Sequence, residues 1–526
     1  MNNNSGKFWT IAISMVLGLL LGLLFAPNGT RTSNAGDELS SKVQEVSHLI
    51  ESEYVEELGG DSIADVLLNA MLVSLDPHSR YLSVSELNKE SEVIQGNFDG
   101  IGVLLRYEGD TVYVNEVMAD GPSAKSGLRP GDCIVKVNND TVSGVGLSPD
   151  QVVSRIRGPH GSKVALTVLR FGSSKPMVYQ IRRGLVHTNS VNYSGMLDAT
   201  TGYVRLSRFA ETTGAEFRDA LKALKSKGMR SLVLDLRGNG GGLLEAAIEV
   251  ADEMLERGNL IVYTEGAHQR RVDIKSSRGG IFEQGKLTIL IDEYAASASE
   301  IVAGAIQDND RGEIVGRRSF GKGLVQRQFM LADGSALWLT TARYYTPSGR
   351  CIQRPYNDGT NKYYMDFLQR IAESPMTEND EEEGEDLLKW GDSTQYFTKQ
   401  GRVVYGGGGI GPDRVFPYIM DSATIQYNKL VNSGRPARLA FAYLRKNYET
   451  LRLRYTTLTQ FENSFAIPDE VMGQMGISSF GDKQRRKLSI LMKAYIAQSL
   501  FGDEGFYKFY VHIDDDLLRL NSSKTK

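Results

Sequence analysis

The pattern of hydrophobic and polar residues in the first part of the chain changes near residue 95. From about residue 37, apolar residues recur at spacings of three and four, which is the period of an amphipathic helix. The proline in Leu75-Asp-Pro-His-Ser interrupts this pattern. Short alternating stretches such as Lys163–Leu169 then follow, separated by glycines. We therefore expect a helical segment over 37–94 and a mainly β domain over 95–185.

From residue 186 the pattern becomes strand and then helix, repeated. The apolar runs Tyr203–Leu206, Ser231–Leu236 and Leu287–Ile291 each precede a stretch with helical periodicity. Such alternation predicts βα units on a largely parallel, buried sheet, so we expect an α/β core over 186–420. Residues 421–526 read as helical and polar, and their pattern indicates no chemistry.

Composition narrows the class of protein. The chain has 526 residues, of which 41% are hydrophobic and 24% charged, with a formal net charge of −4. These values describe an ordinary globular protein of several domains, and they give no sign of a nucleic-acid partner. Its two cysteines, Cys133 and Cys351, could pair, but they make no disulfide framework and show no metal-ligand spacing. We expect neither a metal nor an organic cofactor.

The N-terminus carries an apolar run that predicts export. Lys7 precedes 18 uncharged residues, Trp9–Ala26, which is long for a signal-peptide core and short for a membrane-spanning helix. We expect residues 1–36 to be an uncleaved signal anchor, with a cleaved signal peptide as the alternative. In either case Lys7 stays inside and the body of the protein lies on the periplasmic side of the inner membrane.

The domain over 95–185 is similar to a PDZ domain. The similarity rests on Gly100-Ile-Gly-Val at the start of a strand, Asp120-Gly-Pro-Ser-Ala-Lys-Ser-Gly-Leu in a helical turn, and Arg129-Pro-Gly-Asp-Cys-Ile-Val-Lys-Val. PDZ domains bind an extended peptide as an added strand and hold its terminal carboxylate on backbone N–H groups. This resemblance assigns the peptide site to Gly100, Ile101, Gly102 and Val103. The alternative is a spacer that keeps the fold without a ligand.

A serine precedes an apolar helical face in Ala295-Ala-Ser-Ala-Ser-Glu300. Ser297 and Glu300 fit a helix capping box, which for an isolated Ser-x-x-Glu is the more common explanation. The first turn of a helix also suits a nucleophile, because its free N–H groups and the helix dipole stabilise developing negative charge.

A lysine framed by glycines lies downstream in Phe320-Gly-Lys-Gly323. Burial among small and apolar residues would lower the pKa of Lys322 and leave a neutral amine that could act as a general base. Gln326, four residues on, could orient that amine. A phosphate-binding loop is the alternative, but its Gly-x-x-x-x-Gly-Lys-Ser/Thr spacing is absent.

A third element, Leu234-Asp-Leu-Arg-Gly-Asn-Gly-Gly-Gly-Leu243, ends a strand in a glycine-rich turn. Its backbone amides, together with the N–H of Ala298, suit an oxyanion hole for acyl transfer. A dinucleotide-binding turn is a weak alternative, because Leu243 stands where a third glycine is needed.

Together these motifs resemble the carboxyl-terminal processing peptidases, also called tail-specific proteases. The resemblance extends from about residue 40 to 415 and includes Leu75-Asp-Pro-His-Ser, Gln307-Asp308 and Gly406-Gly-Gly-Gly-Ile-Gly-Pro-Asp413. It implies a βα-repeat protease core of the crotonase-like type, an inserted PDZ domain, and helical segments at both ends. By position it assigns the nucleophile to Ser297, the general base to Lys322, the orienting residue to Gln326, the oxyanion hole to Gly241, Gly242 and Ala298, and supporting roles to Glu300 and Asp308.

The resemblance predicts a serine endopeptidase that cleaves exported proteins near their C-termini through an acyl-enzyme. Its partners would be polypeptides held by their C-termini, and an adaptor or a homo-oligomer stays open. The rival hypothesis is a catalytically silent PDZ scaffold of the cell envelope. A penicillin-recognising acyl enzyme is a further alternative, but it would need a lysine where Glu300 stands.

Overall fold

The structure is a computed structural model that describes residues 35–56, 60–277, 279–374, 376–377, 394–477 and 479–522. The predicted apolar run at 9–26 and the acidic run at 378–385 lie outside these residues. None of the helices in the described ranges is long and apolar enough to cross a lipid bilayer. The chain divides into two units, Met1–Ala70 and Met71–Lys526.

The first unit is helical over its described part. Helix α1 spans Ala35–Glu53, and α2 (Gly60–Val73) begins in this unit and ends just beyond it. Helices are what the three- and four-residue spacing of apolar positions predicts. On α1, Val46 and Leu49 are both more than half exposed.

The second unit starts with a strand and a capped helix, β1 (Arg80–Leu82) and α3 (Val84–Gln95). Ser83 and Glu86 form a capping box at the start of α3, and Gly96 ends the helix in the left-handed conformation. The helical segment expected over 37–94 is thus interrupted after the proline, as the sequence indicated, and the interruption contains a short strand.

The inserted domain is built on a mainly antiparallel sheet. Its elements are β2 (Asn97–Gly100), β3 (Val103–Glu108), β4 (Thr111–Val117), β5 (Cys133–Val137), β6 (Asp140–Thr141), α4 (Pro149–Ile156), β7 (Lys163–Leu169), β8 (Met177–Arg182) and β9 (Gly184–His187). The strand order is β3-β4-β5-β7-β8, with β6 beside β5, so β3 is an edge strand. β2 pairs with β9 and closes the domain where the chain enters and leaves it.

One prediction for this domain was wrong in detail. Gly100 and Ile101 were expected to begin the strand that continues through Val103, but Gly100 ends β2 and the chain turns before β3. Gly102 has φ 71°, and an added Cβ would lie 2.7 Å from Gly121 Cα. The two backbones approach so closely that only glycine fits, and the extended path breaks there.

The α/β core contains the predicted βα units. Its elements are β10 (Val191–Met196), β11 (Thr201–Leu206), α5 (Thr213–Ser226), β12 (Ser231–Asp235), α6 (Leu244–Asp252), β13 (Leu260–Gly266), β14 (Gln269–Lys275), β15 (Lys286–Ile291), α7 (Ala298–Asp308), β16 (Glu313–Gly316), β17 (Leu324–Met330) and β18 (Ala336–Tyr345).

Two sheets share this region. The first has the order β10-β11-β12-β15-β16-β22, where β22 is Arg414–Val415, and all its neighbours are parallel except β10 and β11. Its central strands β12 and β15 are buried along nearly their whole length, as parallel strands covered on both faces require. The second sheet, β1-β18-β13-β14 with β17 beside β18, is antiparallel and was not predicted.

The rest of the chain adds short strands and a helical extension. These elements are α8 (Thr360–Ala372), β19 (Met376–Thr377), β20 (Gln395–Phe397), β21 (Val403–Tyr405), β23 (Tyr418–Ile419), α9 (Ser422–Asn432), α10 (Arg435–Arg454), α11 (Leu458–Ser464), α12 (Asp469–Gly473), α13 (Asp482–Tyr510) and α14 (Asp515–Ser522). Helices α9 to α13 share one hydrophobic core around Leu444, Phe461 and Leu488, whereas Leu517 and Leu520 of α14 belong to a second cluster with strands of the α/β core. We call residues 421–522 the helical extension.

The helical extension packs against the inserted domain. The ring of Phe441 on α10 lies 5.6 Å from that of Tyr113 on β4, and the Arg445 guanidinium stacks 4.2 Å from the Tyr113 ring centre. Cys133 on β5 and Cys351 are both free thiols, so the pairing that the sequence left open does not occur.

Candidate active site

Ser297 lies at the turn between β15 and α7, and its backbone is strained. Its φ is 54° and its ψ is −112°, a conformation that side-chain-bearing residues rarely adopt. Such a residue costs about 1–3 kcal/mol and persists only where its surroundings hold it. Ser297 is partly exposed while Ala295, Ala296 and Ala298 around it are buried. The fold therefore presents this one hydroxyl at the surface of a buried turn.

Glu300, one turn into α7, connects the serine to the lysine. One oxygen of its carboxylate accepts the N–H groups of Ser297 at 2.8 Å and Lys322 at 2.9 Å. The other accepts the N–H of Gly321 at 2.6 Å and the hydroxyl of Ser319 at 2.5 Å. Burial raises the pKa of Glu300, and these four donors act in the opposite direction. The half of the capping box that Glu300 provides is thus also a bridge between two chain segments.

Tyr344 on β18 supports the same two segments from the other side. Its hydroxyl lies 2.6 Å from the carbonyl oxygen of Lys322 and 3.2 Å from that of Ser297. The backbones of both predicted catalytic residues are therefore fixed at the N–H by Glu300 and at the C=O by Tyr344.

The amine of Lys322 is held as the sequence predicts. Lys322 Nζ donates to Gln326 Oε1 at 2.9 Å. Burial lowers the pKa of Lys322, the charge of Arg80 lowers it further, and the carboxylates of Asp76, Glu300 and Glu90 oppose these effects. Among the described residues, no carboxylate lies within ion-pairing distance of Lys322. The environment favours the neutral amine.

Gln326 is oriented by a turn that precedes the inserted domain. Gln326 Nε2 donates to the carbonyl oxygen of His78 at 2.5 Å, which turns Gln326 Oε1 towards Lys322. The Asp76 carboxylate holds that turn, accepting the N–H groups of His78 and Ser79 at 2.8 Å each. Burial and Lys322 lower the pKa of His78 to about 3, so its ring is neutral.

The role of this turn was not predicted, although Leu75-Asp-Pro-His-Ser was recognised as a motif. In an Asx turn, an aspartate side chain accepts the backbone N–H of a residue two positions on. The sequence Asp76-Pro-His-Ser is compatible with such a turn and could have indicated a rigid structure. The contact between this turn and Gln326 could not be predicted from the local sequence, because the two are 248 residues apart.

The glycine-rich turn packs directly on the serine. A Cβ added to Gly241 would lie 2.9 Å from Ser297 Cβ and 3.0 Å from the nitrogen of Ala298, and Gly241 has φ 102°. A Cβ on Gly242 would lie 2.1 Å from Phe209 O. Both positions require glycine, and the structure places Gly241 against Ser297 and Ala298, with Gly242 next to it in the chain.

Asn239 fastens the glycine turn to the serine turn, and this residue was missed. Its carbonyl oxygen accepts the N–H of Ala296 at 3.0 Å and the hydroxyl of Ser299 at 2.8 Å. Its side-chain oxygen accepts the N–H of Gly241 at 2.9 Å, so that N–H already has a partner here. The local signal in the sequence is an asparagine among glycines directly after a strand. Such a residue, once buried, needs hydrogen-bond partners.

Asp308 lies away from this group. It ends α7, which rises about 1.5 Å per residue, so about 16 Å along the helix separates it from Ser297. Its carboxylate accepts from the buried Arg350 at 2.7 Å and from the N–H of Ser348 at 3.0 Å. Asp308 therefore anchors the loop that follows β18, and it does not touch Ser297 or Lys322.

The predicted peptide-binding residues lie at or next to the start of β3, an edge strand of its sheet. The side chain of Ile101 is 2% exposed and belongs to the core of the domain, so it can offer a ligand only its backbone. The carbonyls of Ile101 and Gly102 accept the N–H groups of Ser123 and Met118. These bonds fix the turn next to the edge on which a peptide strand could be added.

Comparisons with known proteins find matches for the α/β core, the inserted domain and the helical extension. Residues 200–360 match peptidase family S41, residues 113–170 match a PDZ domain, and residues 426–502 match a family of unknown function. A carboxy-terminal-processing protease of Bartonella bacilliformis is 38% identical over 309 residues, which are 58% of this chain and 70% of the relative. A probable CtpA-like serine protease of Staphylococcus aureus is 31% identical over 347 residues, 65% of this chain and 68% of the relative.

Among solved structures, a photosystem II D1 C-terminal processing protease is 31% identical, with 58% of this chain and 88% of that chain covered and a TM-score of 0.33. The alignments with the Bartonella and Staphylococcus proteins each cover more than two thirds of the relative's own length. The chain therefore belongs to the carboxy-terminal-processing proteases of peptidase family S41, serine-type proteases, and it carries a PDZ domain.

Proposed function

We propose that this protein is a serine endopeptidase that uses Ser297 as nucleophile and Lys322 as general base to cleave polypeptides near their C-termini. One observation carries the proposal: a single buried carboxylate, Glu300, accepts the backbone N–H groups of both residues. This fixes the two backbones relative to each other, which is what a nucleophile and its base require. Burial also lowers the pKa of Lys322, which is the direction that a general base needs.

The chemistry follows from these positions. Ser297 Oγ attacks the scissile carbonyl carbon while its proton passes to the lone pair of Lys322 Nζ. Gln326 Oε1 accepts one N–H of the amine and so directs the lone pair away from itself. The resulting ammonium gives its proton to the leaving amine as the peptide bond breaks, which leaves an ester on Ser297. Water, deprotonated by Lys322, then hydrolyses that ester and restores the serine.

The negative oxygen formed during attack needs hydrogen-bond donors. We assign them to the backbone N–H groups of Ala298 at the start of α7 and of Gly242 in the glycine turn. The N-terminal end of α7 adds a favourable dipole at the same place. The N–H of Gly241 could contribute only after leaving Asn239 Oδ1, which holds it at 2.9 Å.

We assign recognition of the substrate to the PDZ domain. A polypeptide would pair as an extra strand with the edge of β3, its terminal carboxylate on the N–H groups of the turn over Gly100–Val103. The close contact of Gly102 with Gly121 keeps side chains out of that turn, so only its backbone could meet an anion there.

We also propose that the body of the protein lies on the periplasmic side, anchored or delivered by the apolar run Trp9–Ala26 behind Lys7.

Replacing the predicted dyad should abolish proteolysis. We expect Ser297→Ala and Lys322→Met to lower kcat on labelled β-casein by at least about 10²-fold, because each removes a group that takes part in proton transfer. Lys222→Met, which removes an exposed lysine paired with Asp219, is the matched control and should retain full activity. A silent PDZ scaffold would show no difference between any of these variants and the wild type.

The pH dependence of kcat/KM should report the pKa of Lys322. Activity should rise with pH as the amine loses its proton, and the rise should come below the ordinary lysine pKa because burial lowers the value. Arg80 lowers the pKa of Lys322 and Glu90 raises it, so Arg80→Gln should move the rise to higher pH and Glu90→Gln to lower pH. At neutral pH we expect activity changes of about threefold in opposite directions.

Arg80 and Glu90 form an ion pair at 2.7 Å, which makes the double variant a natural control. Its pH profile should lie close to that of the wild type, and 1 M salt should reduce both single effects by screening. Profiles that moved in the same direction in both single variants would contradict this assignment of the base.

The free C-terminus of a substrate should matter for binding more than for chemistry. For two fluorogenic peptides that differ only in a terminal carboxylate or carboxamide, we expect KM to be about tenfold higher for the amide, because charge-assisted hydrogen bonds are lost. Gly102→Val should raise KM for the carboxylate and remove the difference. Equal KM values in the wild type would exclude capture by the C-terminus.

Export can be tested separately from catalysis. Alkaline phosphatase, which folds only outside the cytoplasm, should be active when fused after residue 34 and inactive when Trp9–Ala26 is deleted from the fusion. An inactive full-length fusion would contradict the periplasmic assignment.

A further inference from the structure

The proposed mechanism gives the helical extension no role. The last part of this extension nevertheless contacts arginines next to the glycine-rich turn and the serine turn. The segment Val511–Asp514 connects α13 to α14 and, with the first turn of α14, brings Asp514 and Asp516 against the protease core. We propose that Asp514 and Asp516 are positioning residues for the proteolytic reaction. They hold the glycine-rich turn and the serine turn in place, and this inference rests on the proposed function.

The first contact is with the glycine-rich turn. Arg237 is the last residue before Gly238, and its guanidinium donates to Asp514 at 3.0 and 3.1 Å and to Asp516 at 2.8 Å. Arg237 also donates to Asp235 at the end of β12, at 2.7 and 3.0 Å. The guanidinium is therefore held between the strand that precedes the turn and the helical extension, and its side chain is 11% exposed.

The second contact is with the serine turn. Asp516 Oδ2 also accepts from Arg317 Nη1 at 3.3 Å, and Arg317 Nε donates to Glu293 at 3.3 Å. Glu293 is four residues before Ser297 on the same turn. The Asp516 carboxylate is thus linked to the glycine-rich turn through Arg237 and to the serine turn through Arg317.

Burial makes these contacts sensitive to loss of one partner. Asp514, Asp516, Glu293 and Arg317 are all less than one tenth exposed. Removing one carboxylate from such a group leaves a buried guanidinium without full compensation, which is far more costly than losing a surface ion pair. The expected response is a shift of the arginine, and with it of the turn that carries it.

Neighbouring Asp515 provides a matched control. Its carboxylate accepts from Lys487 at 2.7 Å, a contact within the helical extension, and it is 41% exposed. Asp515→Asn therefore removes the same charge from the same segment without touching either active-site turn. Asp514 also accepts the N–H of Leu517 at 3.0 Å at the start of α14, and asparagine retains that capping function.

The test compares Asp514→Asn, Asp516→Asn and Asp515→Asn in the full chain. We expect kcat on labelled β-casein to fall at least about tenfold in the first two, with KM within about twofold, because turns are displaced while the PDZ domain is untouched. The rate at which a fluorophosphonate probe labels Ser297 should fall in parallel. Asp515→Asn should stay within about twofold of the wild type in every measurement.

Stability is measured alongside, since a purely structural role would lower the unfolding temperature and leave kcat unchanged well below it. Wild-type kcat in both Asp514→Asn and Asp516→Asn at 15 °C would overturn the inference and leave the protease proposal intact. If Asp516→Asn does not fold, Asp514→Asn alone decides the question. A wild-type protein no more active than Ser297→Ala would instead remove the proposed function itself.

Discussion

The active site depends on one buried carboxylate. Glu300 is fully buried and accepts four hydrogen bonds, three from backbone N–H groups and one from a hydroxyl. The donors come from two segments held by different sheets: the serine turn follows β15 of the parallel sheet, and Ser319–Lys322 leads into β17 of the antiparallel sheet. Without this acceptor the donors would be left buried and unpaired, at a cost of about 1–3 kcal/mol each.

A carboxylate suits this position better than an amide would. All four partners of Glu300 are donors, so both of its oxygens must accept, whereas a glutamine would direct an NH₂ group towards at least one N–H. The strained backbone of Ser297 also needs a fixed hydrogen-bond acceptor at its N–H. Its left-handed φ needs surroundings that fix it, and Glu300 at its N–H with Tyr344 at its C=O provide them.

Whether a feature of the fold or the site could be predicted depends on how far apart in the sequence the residues that form it lie. The serine, the lysine, Gln326 and the glycine turn could be proposed from the sequence because each motif is local, and the parallel βα units could be predicted because β12 and β15 are short, largely apolar runs. The antiparallel sheet was missed, since β17 reads Leu-Val-Gln-Arg-Gln-Phe-Met and its outer half is exposed. The bond from Gln326 to His78 and that from Arg237 to Asp514 join residues more than 240 positions apart, which no local pattern contains.

The charges around the site act on Lys322 in both directions. Asp76, Glu300 and Glu90 all raise the pKa of Lys322, yet burial and Arg80 prevail and the pKa is lowered. Asp76 and Glu300 direct their oxygens at backbone N–H groups, and Glu90 pairs with Arg80, so none of the three forms a direct bond to the amine. The acids of the helical extension are in turn matched to Arg237 and Arg317. These carboxylates thus have other partners, and the hydrogen bond that the Lys322 amine makes is the one to Gln326.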